Sequence, residues 1–447
     1  MKSRALNSIG SYHSDLSLPY KNLKTKQSSD IVLSGFVIKE QNLNLSLKEL
    51  LANKVHIYSL VWSNTQKAYL LKVNLDDHNR VQRILETIQN QQVSTYNIAV
   101  WGAGNVGSKL IDIILESWDT FITNKEVRFN IFAVANSKQV LLNKNGVSKN
   151  WRHKLKRGVE SASSLDLLFA YSKHFEFENL IFVDASASQS LADSYADIIQ
   201  AGFDIVAANK IANTGEQFQY DELQKILNKT GQSFKFETNV GAALPIIQTI
   251  YQIQDSGDRI SRIRGTFSGS LNYIFTQIQS GCSFSESVRS AREKGFTEPD
   301  PREDLSGNDV ARKLLVLARI MGHKLNLEDI SIESLFPERF KNLGLEDFMD
   351  VLGDLDESIE QLFNRAASDE ALVYSADIIL DQNRPIKIRV GVQTLDKRSV
   401  LANLSGTDTG FEIFTEAYGE RPICISGAGA GVELTARGLL SDIFALV

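Results

Sequence analysis

Asn97-Ile98-Ala99-Val100-Trp101-Gly102-Ala103-Gly104-Asn105-Val106-Gly107 runs straight into Ser108-Lys109-Leu110-Ile111-Asp112-Ile113-Ile114-Leu115-Glu116. The first five residues are a short apolar run of strand length, and the last nine repeat leucine and isoleucine at helical spacing. Between them stand three glycines in the order Gly-x-Gly-x-x-Gly. Such a turn between strand and helix needs each glycine for its own reason. Gly102 permits the tight turn, Gly104 lets a pyrophosphate approach the backbone, and Gly107 lets the helix pack closely on the strand. The helix start, including Asn105 and Val106, offers amide N–H groups and partial positive charge to phosphates. The stretch therefore predicts a dinucleotide-binding turn and an α/β, Rossmann-type doubly wound domain. The competing reading is a Gly-rich turn that serves packing alone.

Strands of the same sheet are expected downstream. Val127–Ala135 reads as the second strand and ends in Asn136-Ser137-Lys138. A carboxylate at that point would grip a ribose 2′-hydroxyl and repel a 2′-phosphate. Its absence beside Lys138 leans toward NADP or toward use of both NADP and NAD, unless Lys138 simply faces water. Leu180–Asp184 is a buried strand leading to Ser186, and 203–210 is another that ends in Asn209-Lys210. A lysine at the carboxyl end of such a strand lies near the crevice where ligands bind. The basic passage 139–178 is read as a solvated face.

Upstream, residues 1–29 read as an irregular leader. Residues 30–95 follow the order strand, helix, strand, strand, helix, which resembles a small ACT-like α+β module. With 447 residues the chain has room for two or three domains, and 43% hydrophobic residues suffice for a large core. A net charge of −6 argues against a nucleic-acid or anionic-membrane partner. No apolar run reaches membrane-spanning or signal-peptide length, so a cytoplasmic protein is expected. Two cysteines, Cys282 and Cys424, have no metal-type spacing. The later half alternates as strands at 374–380, 387–393 and 400–404, which implies a second sheet.

The remaining chemistry lies in Gly295-Phe296-Thr297-Glu298-Pro299-Asp300-Pro301-Arg302-Glu303-Asp304-Leu305-Ser306-Gly307-Asn308-Asp309-Val310-Ala311-Arg312-Lys313. Two prolines stiffen an acidic arm. Ser306 or Asn308 is expected to cap the helix that follows. Asp309 and Lys313, four apart, share one of its faces. Acidic groups suit an amine, and a lysine can exchange a proton with an oxygen. The plainer alternative is a Pro-rich turn before a surface ion pair. The six histidines lie outside every motif.

This arm resembles the substrate-binding signature of homoserine dehydrogenases. The chain resembles the dehydrogenase part of bifunctional aspartokinase–homoserine dehydrogenases, without the kinase domain. The resemblance implies reversible NAD(P)-dependent oxidation of L-homoserine to L-aspartate 4-semialdehyde. It implies a nucleotide domain at 96–235 and 415–447 and a catalytic and dimerisation domain at 236–414, and a homodimer or higher homo-oligomer. It assigns Lys313 first, then Lys210, as the proton-exchanging group, with Asp309 orienting the substrate. It places Glu298, Asp304, Gly295 and Thr266 at the substrate. Ser186, Lys210, Gly427 and Gly429 join Gly102, Gly104, Asn105, Val106 and Gly107 at the cofactor. It further implies a sodium or potassium ion on Glu237 and the backbone oxygens of Val240, Ala242 and Leu244. Two rivals stand beside it: another small amino- or hydroxy-acid dehydrogenase on this fold, and a non-catalytic nucleotide sensor.

Overall fold

The structure, a computed structural model, describes residues 33–39, 42–63, 67–117, 120–121, 126–160, 164–381 and 384–447. The expected leader 1–29 lies outside them. Two compact units appear: one ends at Thr95 and takes in Ser117–Phe129, and the other holds Tyr96–Glu116 and Asn130–Val447.

In the first unit, β1 (Leu33–Lys39), β2 (Ile57–Ser63) and β3 (Ala68–Asn74) form an antiparallel sheet in the order β1-β3-β2. Helices α1 (Leu43–Ala52) and α2 (His78–Gln92) complete it. Ile38, Leu50, Leu71, Val73 and Val81 make a small core from alternate strand positions and one face of each helix. The order strand, helix, strand, strand, helix is the one that the apolar spacing predicts.

The nucleotide-type sheet is built from β4 (Ser94–Trp101), β5 (Val127–Ala135), β6 (Gln139–Leu142), β7 (Val159–Glu160), β8 (Leu180–Asp184), β9 (Phe203–Ala207) and β10 (Phe234–Lys235). Their order is β10-β9-β8-β4-β5-β6-β7. β4, β8, β9 and β10 run parallel, whereas β6 pairs antiparallel with both β5 and β7. Strands covered on both faces become apolar throughout. In β4 every residue from Asn97 to Trp101 is buried, and in β5 every residue from Phe129 to Ala135. Helix α3 (Asn105–Glu116) leaves the glycine turn and buries Leu110, Ile111, Ile113 and Ile114.

A second sheet carries β11 (Ile260–Thr266), β12 (Ser331–Ile332), β13 (Glu370–Asp381), β14 (Arg384–Asp396), β15 (Asp408–Thr415) and β16 (Ile423–Ala428), in the order β12-β14-β13-β11-β15-β16. The expected strand at 400–404 is instead a single 3-10 turn at Leu401–Asn403. Ser399 Oγ accepts from the Leu401 amide and the Asn403 amide group donates to the Ser399 carbonyl, so side chains close the turn locally. Leu401 is buried with Val373 and Leu395 and does not alternate across a pleat.

Short helices link the layers: α4 (Ile211–Thr214), α5 (Gln217–Thr230), α6 (Ile246–Asp255), α7 (Gly269–Gln279), α8 (Phe284–Glu293) and α9 (Asn308–Ile320). Helix α9 buries Val310, Ala311 and Leu314 through Arg319, so it is a core helix rather than a surface one. The helix starts one residue away from where a serine cap would put it. Gly307, with φ +74°, is the N-cap, and a Cβ there would lie 2.1 Å from the Tyr374 hydroxyl. A glycine is therefore required by both backbone and space. Of the segment 415–447, β16 stays in the second sheet, while α10 (Val432–Phe444) packs on α3.

One buried cation holds α9 to α4 and α5. Arg319, 3% exposed, donates to the carbonyls of Asn213, Gly215 and Leu325 and to Gln217 Oε1. Arg319→Met keeps the volume but strands these acceptors. At roughly 1–3 kcal/mol per unsatisfied buried group, the change should cost about 3 kcal/mol or more in denaturant unfolding. Wild-type stability would show that the clamp does not carry the junction.

Candidate active site

The glycine turn has the three roles that its spacing predicts. Gly102 has φ +93°, and a Cβ on it would lie 2.6 Å from the Ala185 carbonyl carbon. A Cβ on Gly107 would lie 2.2 Å from Gly102 O. Gly104 differs from both: nothing stands within 4 Å of its missing Cβ. The turn is thus crowded at its two ends and open at its centre, beside the N-terminus of α3, as a pyrophosphate cradle requires. The loop after β5 is an Asx turn in which Asn136 Oδ1 accepts from the amides of Lys138 and Gln139. Lys138 is exposed there.

Ser186 does not cap a helix; Ser188 does, by accepting from the Leu191 amide. Ser186 is tied instead to Asp184, with its amide at 2.8 Å and its hydroxyl at 2.7 Å from Oδ1. At the end of β16, Gly429 is pressed on Thr409, whose Oγ1 would lie 2.0 Å from an added Cβ, and Gly427 sits over Leu244. Packing demands a glycine at 429, whereas a Cβ at 427 would make only an ordinary contact with Leu244 at 3.4 Å. Helix α10, just beyond, is joined to α3 by the Lys109–Glu433 ion pair at 2.5 Å.

The acidic arm is sorted by its hydrogen bonds. Gly295, with φ +70°, ends α8: its amide donates to Arg292 O and the Phe296 amide to Ala291 O. Asp300 pairs with Arg302, which also donates to the Leu343 carbonyl. Asp304 accepts from Ser270 Oγ at 2.6 Å and from the Glu298 amide at 2.8 Å. Both of its oxygens are committed to holding the arm. Glu298 is exposed, and its side chain keeps no such tie. Burial and the charges of Asp304, Glu303 and Asp309 raise its pKa, and Lys210 opposes them. Thr266 is buried in β11 and accepts from the Gly410 amide.

Asp309 lies between two lysines. Lys210 Nζ donates to Oδ1 at 2.7 Å, and Lys313 Nζ is 2.9 Å from Oδ2. Lys313 is tethered a second time, to the Phe267 carbonyl at 2.7 Å. Enclosure by protein alone would raise Asp309. The ammonium groups of Lys313 and Lys210 outweigh it and hold the carboxyl well below the usual range. Burial, and then the like charge of Lys313, push Lys210 below an ordinary lysine against the pull of Asp309. Lys210 reaches the cluster from the end of β9 and Asp309 from the first turn of α9, so the two layers meet here.

Glu237 caps α6, with Oε1 accepting from the Ile247 amide and Oε2 from the Gln248 amide. Its own amide donates to Asp442, which burial pushes up to about 7. The next turn is unusual in having a non-glycine, Ala242, at φ +56°. Leu244 O accepts from the Ile246 amide. The donor set is all oxygen, with one carboxylate and backbone carbonyls, and that fits a hard cation better than a thiophilic one. Among the described residues no three His, Cys, Asp or Glu side chains are arranged to hold a metal ion, and no helix is long and apolar enough to cross a membrane.

A mostly parallel sheet with a phosphate-type glycine turn, joined to an α+β layer that delivers an Asp and a Lys, defines the architecture of a dinucleotide-binding protein. Family models described as "Homoserine dehydrogenase, NAD binding domain" and "Homoserine dehydrogenase" match residues 102–237 and 245–444. The chain belongs to the homoserine dehydrogenase family. It is 36% identical over 344 residues to a bifunctional aspartokinase/homoserine dehydrogenase of Haemophilus influenzae, covering 76% of this chain and 42% of that protein. The chain spans about half the length of such relatives, 42% and 52% for two of them. A Candida auris protein of unknown function is 31% identical with a TM-score of 0.72, covering 79% of this chain and 98% of that one. A hyperthermophilic archaeal homoserine dehydrogenase solved in complex with NADPH shares the fold, at 22% identity and a TM-score of 0.59, over 78% of this chain and 97% of that one.

The glycines separate binding from folding. Gly104→Ala should leave the melting curve within roughly 0.5 kcal/mol of wild type, as a change facing open space, while weakening coenzyme in a fluorescence titration. Gly107→Ala should destabilise the fold itself. Equal effects of the two substitutions on stability would contradict this division.

Proposed function

We propose that the chain catalyses reversible, NAD(P)-dependent oxidation of L-homoserine to L-aspartate 4-semialdehyde. The observation that carries this reading is the Lys210–Asp309–Lys313 cluster beside a free Glu298 carboxylate. Glu298 would hold the substrate amine, and Asp309 would orient the substrate. A nicotinamide held there would supply the hydride chemistry at C4. The hydroxyl proton goes to a neutral lysine amine as the carbonyl forms, and the reverse reaction returns it. Sequence motif alone puts Lys313 first for this role, but the geometry favours Lys210. Lys313 is held by two acceptors, whereas Lys210 is held by one and is the lysine pushed toward its neutral form. Asp304, Gly295 and Thr266 act in the same reading by fixing the arm and the strand that present these groups.

The glycine turn, Asn105, Val106 and Ser186 would seat the dinucleotide, with Gly427 and Gly429 closing over it. Asn136 and Lys138, in place of an acidic residue, favour NADP over NAD. A sodium or potassium ion would be held by Glu237 with Val240, Ala242 and Leu244. The same reading assigns the nucleotide domain to 96–235 with α10 of the expected segment 415–447, catalysis and homodimer formation to 236–414 with β16, an ACT-like module to 30–95, and a cytoplasmic setting. Steady-state assay of the purified chain with L-homoserine tests it. Turnover is expected with NADP, and Lys138→Glu should shift the preference toward NAD by about tenfold, roughly 1.4 kcal/mol. No turnover with either coenzyme, or faster turnover of another hydroxy acid, would overturn the reading.

A further inference from the structure

Asp184 ends β8 with no solvent exposure and takes no part in the chemistry assigned so far. Four donors converge on its carboxylate. Oδ1 accepts from the Ser186 amide at 2.8 Å and the Ser186 hydroxyl at 2.7 Å. Oδ2 accepts from the Tyr195 hydroxyl at 2.8 Å and from Asn209 Nδ2 at 3.0 Å. Burial works against the charged carboxylate, and the donors from Ser186, Tyr195 and Asn209 work for it. A buried acid with every lone pair directed at a neighbour is a fixed point from which other groups can be held.

The groups it holds lie on the two loops that matter most. Ala185 and Ser186 are the backbone against which Gly102 packs, so this loop is seated on the glycine turn. Asn209 precedes Lys210. Its Nδ2 also donates to Ser188 O at 3.0 Å, and its Oδ1 accepts from the Ile211 amide at 3.1 Å, at the start of α4. The amide of Asn209 thus has both ends used, one on the coenzyme-side loop and one on the helix whose N-cap is Lys210. Asn213, on the same short helix, donates to Asn239 and carries a carbonyl held by Arg319. The backbone on both sides of Lys210 is therefore pinned.

We propose that Asp184 is a positioning residue that couples coenzyme seating to the reacting lysine: through Ser186 it sets the loop beside the glycine turn, and through Asn209 it aims Lys210 at Asp309. The proposal rests on the reading of Lys210 as the proton-exchanging group. Tyr195, its third partner residue, is buried against Phe234 and in this proposal only fills and satisfies the site.

Each arm can be cut separately. Asn209→Ala should lower kcat by at least about tenfold, with the NADPH dissociation constant within about threefold of wild type, as for lost orientation of a reacting group. Ser186→Ala should weaken NADPH more than it lowers kcat. Asp184→Ala should do both, and the single-arm variants carry the test if it does not fold. Tyr195→Phe should lower the melting temperature with kcat and NADPH affinity unchanged. If Asn209→Ala and Asp184→Ala change the melting temperature alone, or if Tyr195→Phe reproduces the loss of kcat, the coupling is wrong. Wild type that is inactive on homoserine would end the functional reading instead. The coenzyme arm would then still be judged by nucleotide fluorescence, which needs no turnover.

Discussion

A carboxylate shared by two ammonium groups joins the layers of this protein. Lys210 arrives from the end of a parallel strand, while Asp309 and Lys313 stand on a helix that is mostly buried in the second layer. Lys210 is not comfortable as a charge in that setting, since burial disfavours it and Lys313 repels it. The single anion between them makes the arrangement tolerable without removing the strain on Lys210. A lysine whose pKa its surroundings lower is better suited to the proton exchange with an alcohol proposed above.

The surrounding structure is arranged to keep that cluster in place. Arg319 binds three carbonyls around α4 and α5 from within α9. Phe267, just beyond β11, offers its carbonyl to Lys313. Asp304 closes the acidic arm back on Ser270 and so leaves Glu298 as the carboxylate able to meet a ligand. On the other side, the glycine turn is crowded where it must pack and open where a phosphate would lie. The glycine turn and the ionic cluster belong to one compact unit, in which polar groups from distant parts of the chain satisfy each other.

Local rules made the glycine turn readable in the sequence. Strand, turn and helix lie within twenty residues, and the role of each glycine depends on neighbours close in the chain. The Asp309–Lys313 pair was readable for the same reason, as a helical spacing of four. Other roles were decided by partners far away. Gly307 rather than a serine caps α9 because Tyr374 fills the space beside it. Asp304 is structural because Ser270 faces it, and no spacing rule distinguishes it from Glu298. Ser186 and Ser188 look alike in sequence, yet one serves Asp184 and the other caps a helix. The apolar run at 400–404 has strand composition, but serine and asparagine side chains fold it into a turn over Val373 and Leu395. Asp184 and Arg319 carried no visible mark, since a buried charge declares itself only through the groups that surround it.

The charge balance at Lys210 is open to one direct measurement, the pH dependence of kcat for homoserine oxidation in wild type and in Lys313→Met. The base must be neutral to take the hydroxyl proton, so kcat rises as pH passes upward through the pKa of Lys210. Lys313 holds that pKa down; removing its charge raises it. The account predicts that the rising limb moves to higher pH in Lys313→Met and disappears in Lys210→Met. A limb that stays in place or moves to lower pH in Lys313→Met, or that survives in Lys210→Met, would contradict it.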